Sequence, residues 1–211
     1  YDGILTNSDY FKKGEVIIQD LSSSLIPKVL DVSRNMTVLD ACSAPGTKTQ
    51  EIAMFMQNEG EIIAQDIYEK RVQLIDHLML KTGVSIVKTK VQDSSVLNEE
   101  YINKFDRVLL DAPCSGLGDL RHKPEIRFHL KPDNIDELTS LQKKLLEVNG
   151  QYVKEGGILV YSTCTLNKKE NEKQIQTFLK NHSEYELIEE KTLFPYIENS
   201  DGFYYAKMRR K

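Results

Sequence analysis

Cysteine is scarce in the 211-residue chain, and its three copies, Cys42, Cys114 and Cys164, lie far apart with no CxxC among them. No histidine stands at zinc-ligand spacing from them, so the pattern speaks against a disulfide framework or structural zinc, and no metal is expected. Taken alone, each reads as a small buried hydrophobe. No apolar run approaches the roughly 18 residues of a membrane span, and the first twenty positions lack the order of a signal peptide. The expected compartment is the cytoplasm. The chain has no excess of basic charge: 28 Lys and Arg against 32 Asp and Glu leave −4, so its overall field does not attract nucleic acid. It also lacks internal repeats, linkers and charge blocks. Position 1 is Tyr rather than Met, from which a fragment without its upstream region is expected.

What is present is the balance of a single globular domain, 40% hydrophobic and 28% charged. Short apolar runs alternate with segments of helical period, the pattern of a parallel α/β sheet. Strands are predicted at 37–40, 61–65, 85–89, 107–110 and 158–162, with 185–189 and 203–208 closing the sheet. Helices are predicted at 19–32, 48–58, 69–81, 133–154 and 168–181, the last capped by Asn167. His77 and His182 fall in predicted helices and receive no role. The polar stretch from Cys114 to Pro132 is too long for an idle connection.

In such a sheet the ligand sits beyond the carboxyl ends of the strands. The first strand runs into DACSAPGTKT (Asp40–Thr49), where Gly46 lets backbone approach a ligand and a helix start supplies free N–H groups. Neither GxxxxGK[ST] nor GxGxxG is present, so phosphate-loop and dinucleotide readings fail. Asp66 ends the second strand, as a ribose acceptor or as a cap for the next helix. Asp93 follows the third, facing an adenine amino group or making a turn with Ser94 and Ser95. A nucleoside ligand without a pyrophosphate accounts for all three acidic ends, and S-adenosylmethionine fits. The fourth and fifth strands deliver Cys114 and Cys164 to the same face, which turns the reading of these thiols from packing to chemistry.

DACSAPGTKT, AQDIYEKR, DAPCSG (Asp111–Gly116) and STC (Ser162–Cys164) resemble, in order, the motifs of the RNA cytosine-5 methyltransferases, the Sun/RsmB/Nop2 family. FKKGEVIIQDLSS (Phe11–Ser23) is similar to the family's lead-in, and SDGFYYAKMRR (Ser200–Arg210) to its closing strand. RHKPEIRF (Arg121–Phe128) resembles the active-site loop of the bacterial RsmB (Sun) group, which acts on 16S rRNA. The resemblance implies a Rossmann-like S-adenosylmethionine-dependent methyltransferase fold, α/β, with a mostly parallel seven-stranded sheet and helices on both faces. Residues 1–32 would be a lead-in packed on a catalytic domain of residues 33–211. Thr47 departs from the family, which commonly has a second glycine there; a β-branched residue disfavours positive φ, so turn shape and cofactor affinity come into question.

Carbon 5 of cytosine is a poor nucleophile until a thiolate adds to carbon 6 and gives it enamine character. After methylation a base must remove the carbon 5 proton so that the thiol can leave, and two thiols suit these two stages. Spacing does not tell which cysteine attacks. The resemblance implies Cys164 as nucleophile and Cys114 in resolution and release, whereas in DNA cytosine-5 methyltransferases the PC-motif cysteine attacks. Asp111 would hold a proton on ring nitrogen 3 if burial raised its pKa, and would also touch the methionine part of the cofactor. The cofactor set implied is Cys42, Ser43, Ala44, Pro45, Gly46, Thr47, Lys48, Asp66, Arg71, Asp93 and Asp111, with Cys42 as a residue that merely packs. Lys48 reads equally as a solvated first-turn lysine. The base must enter a pocket, so single-stranded, looped or extruded RNA is the expected substrate, from 16S rRNA or a small-subunit assembly intermediate. Arg121, Lys123 and Arg127, with His122 and Lys131, form a basic cluster for phosphates or a plain solvated loop. Lys207, Arg209, Arg210 and Lys211 read as a soluble terminus. A monomer is expected, binding S-adenosylmethionine but rRNA only weakly without an upstream region. The competing reading is a methyltransferase-fold RNA-binding or assembly factor without required turnover, against which the intact thiol pair speaks. An exocyclic-amine methyltransferase would carry [DN]PP[FY] where this chain has Asp111-Ala112-Pro113-Cys114.

Overall fold

Strands buried at consecutive positions, rather than at alternate ones, require a sheet covered on both faces. The computed structural model, which describes residues 4–211, has that architecture. In chain order it places α1 (Asp9–Lys12), α2 (Leu21–Ser24), α3 (Ile26–Leu30), β1 (Thr37–Asp40), α4 (Thr47–Phe55), β2 (Glu61–Asp66), α5 (Glu69–Thr82), β3 (Val87–Val91) and β4 (Phe105–Asp111). Then follow α6 (Ile126–His129), α7 (Pro132–Gly150), β5 (Val153–Thr163), α8 (Glu172–Asn181), β6 (Tyr185–Leu193), α9 (Pro195–Glu198) and β7 (Phe203–Arg210). The seven strands lie in the order β3-β2-β1-β4-β5-β7-β6, with only β7 antiparallel to its neighbours. The order reverses between β1 and β4, which is where such sheets open a ligand crevice.

Alternation along each strand sorts the core into two layers. Leu39, Ile63, Val108, Leu110 and Tyr161 meet Leu145 and Leu146 of α7 and Ile175 and Phe178 of α8. Val38, Ile62, Leu109 and Val160 meet Ile26 and Leu30 of α3 and Ile52, Ala53 and Met56 of α4. The lead-in segment thus contributes two fully buried side chains to the second layer; its first three residues lie outside those described.

Several predicted boundaries move. The single helix expected over 19–32 is two short ones, because Pro27 has no N–H to carry hydrogen bonding through the junction at Leu25. The helix expected from 168 starts at Glu172; Asn167 caps only a turn, its Oδ1 accepting from the Lys169 N–H at 3.0 Å. The helix expected to reach 154 stops at Gly150, where an added Cβ would lie 2.9 Å from the Phe178 ring, and Tyr152 and Val153 turn into the core. β3 is displaced two residues from the expected 85–89, and β5, β6 and β7 extend beyond their predicted limits. The basic tail is not a free terminus: Lys207 pairs with Asp31 at 3.7 Å, Arg209 with Glu186 at 3.7 Å, and Arg210 donates to the Val153 carbonyl at 2.6 Å.

Candidate active site

The turn after β1 is built around one left-handed residue. Gly46 has φ 104°, and a Cβ there would stand 3.2 Å from Ile75 of α5, so both conformation and space call for glycine. Thr47 is the first residue of α4 and sits in helical conformation. The expected difficulty with its β-branch therefore does not arise, since the positive φ falls one residue earlier. Beneath the turn, Asp40 is almost wholly buried, with Oδ2 accepting from Thr49 Oγ1 at 2.7 Å. Burial pushes its carboxyl up to about 7, with the Thr49 bond opposing and the Asp111 charge adding.

Lys48 is not a solvated lysine. Its Nζ lies 2.7 Å from Asp111 Oδ2 and 5.5 Å from the Phe203 ring centroid, with 14% of the side chain exposed. Burial pulls this ammonium down, but the Asp111 charge and hydrogen bond outweigh it and hold it above its ordinary value. Asp111 also accepts from Ser162 Oγ at 2.7 Å and remains about a quarter exposed. It is thus an ion-paired acceptor at the cavity wall, not a sequestered carboxyl.

A cavity of about 410 Å³ opens at the β1/β4 crevice. Cys42, Ala44, Asp66, Arg71, Asp93, Asp111, Cys114 and Cys164 all line it, whereas Ser43, Pro45, Gly46, Thr47 and Lys48 do not. Asp66 is buried, with Arg71 3.4 Å from Oδ2 and the Tyr68 N–H donating to Oδ1 at 3.3 Å. It is not the cap of α5, a place taken by Tyr68. Asp93 makes the turn anticipated as one of its readings, accepting from the Ser95 N–H at 2.8 Å, and still lines the cavity. Burial pushes the Cys42 thiol up, with Asp40 and Asp111 adding to it, so it is an unreactive wall. Ile67, Leu141 and Leu145 add an apolar surface beside the carboxylates of Asp66 and Asp93. Two carboxylates repel a pyrophosphate but accept ribose hydroxyls and a base amino group, so the donor set fits S-adenosylmethionine.

At the far wall the loops after β4 and β5 bring Cys114 and Cys164 together, Sγ to Sγ at 3.2 Å. The hydrogen bond between the two thiols holds Cys164 below its ordinary value, against burial and with help from Lys48. The same contact, with burial, pushes Cys114 well up. The contact thus biases Cys164 toward the thiolate and Cys114 toward the thiol.

The expected basic cluster is on the Cys114–Pro132 loop, outside the cavity, and much of its charge is answered within the chain. Lys123 pairs with Asp119 at 2.6 Å, Arg121 and His122 approach Asp201 at 3.7 and 3.4 Å, and Arg127 lies 4.7 Å from the exposed Phe128 ring. Asp20, His122 and Asp201 bring potential ligand atoms within 4.8 Å of one another, and the Arg121 guanidinium lies 3.7 Å from Asp201 of that group. Glu170 and Asn171, fully buried behind the cysteines, received no role from the sequence; the only signal was a polar ENE at 170–172, separated from STC by five residues and inside the helix predicted over 168–181.

Residues 27–209 match the family described as 16S rRNA methyltransferase RsmB/F. The chain is 37% identical to the Bacillus subtilis (strain 168) protein named "Probable ribosomal RNA small subunit methyltransferase B", over 99% of this chain and 51% of that protein. It is 35% identical to ribosomal RNA small subunit methyltransferase B of Yersinia enterocolitica, over 95% of this chain and 48% of that protein. The crystal structure of NSun6 from Pyrococcus horikoshii with SFG superposes with a TM-score of 0.91 at 30% identity, over 99% of this chain and 56% of that one. The chain spans about half the length of the curated relatives it matches.

Proposed function

The chain belongs to the 16S rRNA methyltransferase RsmB/F family, and on that premise we propose that it methylates carbon 5 of a cytosine in 16S rRNA through a covalent cysteine adduct. The observation that carries this reading is the 3.2 Å thiol pair at the wall of a cavity suited to a nucleoside. S-adenosylmethionine, when bound, supplies an electrophilic sulfonium methyl group. Asp66 and Asp93 hold its ribose and base, the apolar wall of Ile67, Leu141 and Leu145 packs against it, and the turn from Cys42 to Lys48 shapes its seat.

Cys164 thiolate adds to carbon 6, forming a C–S bond and sending the ring electron pair toward nitrogen 3, so that carbon 5 becomes nucleophilic. Asp111 accepts from Lys48 in this geometry, and we place the proton for nitrogen 3 on the Lys48–Asp111 pair, not on a buried carboxylic acid. Once carbon 5 carries the methyl group, a base takes its proton with Cys114 assisting release; the freed pair re-forms the carbon 5–carbon 6 double bond, the C–S pair returns to Cys164, and nitrogen 3 gives its proton back to the Lys48–Asp111 pair, which restores the aromatic ring. Arg121 and Lys123 contact RNA phosphates by exchanging Asp201 and Asp119 for the backbone, and Arg127, beside the Phe128 ring, joins them.

The test uses rRNA containing 5-fluorocytosine with labelled S-adenosylmethionine, because fluorine at carbon 5 blocks the elimination. Wild type and Cys114→Ala should form a stable protein–RNA adduct and Cys164→Ala none. With ordinary RNA, Cys114→Ala should accumulate adduct because release is slow. Turnover by Cys164→Ala would sink the mechanism, and tight rRNA binding without any methyl transfer by wild type would favour an assembly factor.

A further inference from the structure

Two catalytic thiols on separate loops are useful only if something fixes the loops to each other. Cys114 and Cys164 stand 50 residues apart, each on an irregular segment beyond a strand end. The neighbours of both are gripped by one buried turn. Ser115 donates its N–H to Glu170 Oε2 at 2.9 Å and its hydroxyl to Oε1 at 2.6 Å. Thr165 Oγ1 stands 2.9 Å from Ser115 Oγ and 3.4 Å from Glu170 Oε1, and Gln142 Nε2 donates to Oε2 at 3.1 Å. Asn171 completes the turn, accepting from Thr163 Oγ1 at 2.6 Å and donating to the Thr165 carbonyl at 2.9 Å. Both residues flanking Cys164 and the one following Cys114 are therefore tied to Glu170 and Asn171.

Glu170 is fully buried, and among the described residues no basic side chain pairs with it. A buried carboxyl without a cation is costly and brings no apolar packing in return, so its hydrogen bonds must account for it. We propose that Glu170 is a positioning residue whose carboxyl, through Ser115 and Thr165, sets the separation of the Cys114 and Cys164 sulfurs. The role rests on the reaction proposed above, since that reaction is what needs both thiols at one base. The clamp itself is geometric and can be measured without RNA.

The measurement oxidises the full chain with diamide. The two thiols each give up a hydrogen, their sulfurs join, and the diamide N=N bond becomes the hydrazine; peptide mass spectrometry follows the Cys114–Cys164 disulfide. Glu170→Ala should slow its formation at least tenfold in protein that still melts cooperatively. Glu170→Gln should stay within threefold of wild type, because its amide oxygen can accept from Ser115 N–H and Gln142 while its NH₂ donates to the two hydroxyls. Ser115→Ala, which keeps the backbone bond but loses the bridge to Thr165, should fall between, and with Glu170→Gln it carries the test if Glu170→Ala does not fold. In methyl transfer, kcat should fall with the disulfide rate while KM for S-adenosylmethionine holds. A lowered melting temperature with wild-type disulfide rates in Glu170→Ala and Ser115→Ala would make Glu170 a packing residue and overturn the proposal, as would Glu170→Gln behaving like Glu170→Ala. Loss of the fast disulfide in the variants, in a protein whose wild type transfers no methyl group, would leave the clamp standing and remove the reaction.

Discussion

Replacing Asp40 by Asn should flatten the pH dependence of folding stability. Asp40 ends β1 with 1% of its surface exposed; Thr49 donates to one carboxyl oxygen at 2.7 Å, and the other has no partner among the described residues. Burial lifts the group from 3.8 to about 7 in the folded protein, while the unfolded chain keeps the ordinary value. Between about pH 4 and pH 7 the folded state holds a proton that the unfolded state releases, so stability is greatest below this window, falls as pH rises through it, and levels off above. About three pH units at 1.4 kcal/mol each set a ceiling of roughly 4 kcal/mol on the fall. Asn cannot titrate, so Asp40→Asn removes it, adding only a pH-independent penalty of about 1–3 kcal/mol where its NH₂ replaces the unpartnered oxygen. Urea unfolding of both proteins at a series of pH values from about 4.5 to 8.5 reads the difference directly. Wild type should lose stability relative to the variant up to about pH 7 and run parallel above it. A difference constant to within about 0.5 kcal/mol across the series would refute the argument that burial dominates at this carboxyl.

Two further tests probe other charged groups. Lys48→Met removes a cation that helps hold the Cys164 thiol down, so iodoacetamide should alkylate Cys164 about fivefold more slowly at neutral pH, the equivalent of about 1 kcal/mol; an unchanged rate would take Lys48 out of thiol activation. His182 is pulled down by burial but held above its ordinary value by Glu147 at 2.6 Å and Glu184 at 3.0 Å. Its contribution is present below about pH 6.5 and is lost as pH rises through the folded value, so His182→Ala should cost up to about 1 kcal/mol more at pH 5.5 than at pH 8.5. Equal melting-temperature losses at both pH values would remove the ion pairs from the stability of the α7–α8 junction.

The strand ends were the most legible part of the sequence. An apolar run buried on both faces is a local pattern, and the residue that follows it stands at the sheet's edge whatever surrounds it, so Asp66, Asp93, Asp111, Cys114 and Cys164 could be assigned to one crevice from the sequence, whereas Asp40, expected beside them, lies buried beneath the turn. Helix limits were less legible because packing overrode local preference: Gly150 is where the Phe178 ring closes on α7, and Tyr152 and Val153 leave a helical pattern to reach the core. Thr47 shows the opposite error, a concern raised by residue type that dissolved once the left-handed position was seen to be Gly46. The basic loop and tail carried the right charges but not their partners, since Asp119, Asp201 and Asp31 come near only through the fold.

From the sequence alone came the order of strands and helices, the family resemblance and the two thiols, because each is carried by residues close together in the chain. Only the tertiary structure decided that Lys48 is spent on Asp111, that the cysteines stand 3.2 Å apart, and that Glu170 ties their loops together. Those are contacts between residues tens of positions apart, and a hydrogen bond or ion pair depends on distance and direction to a few tenths of an ångström, which no spacing along a chain specifies.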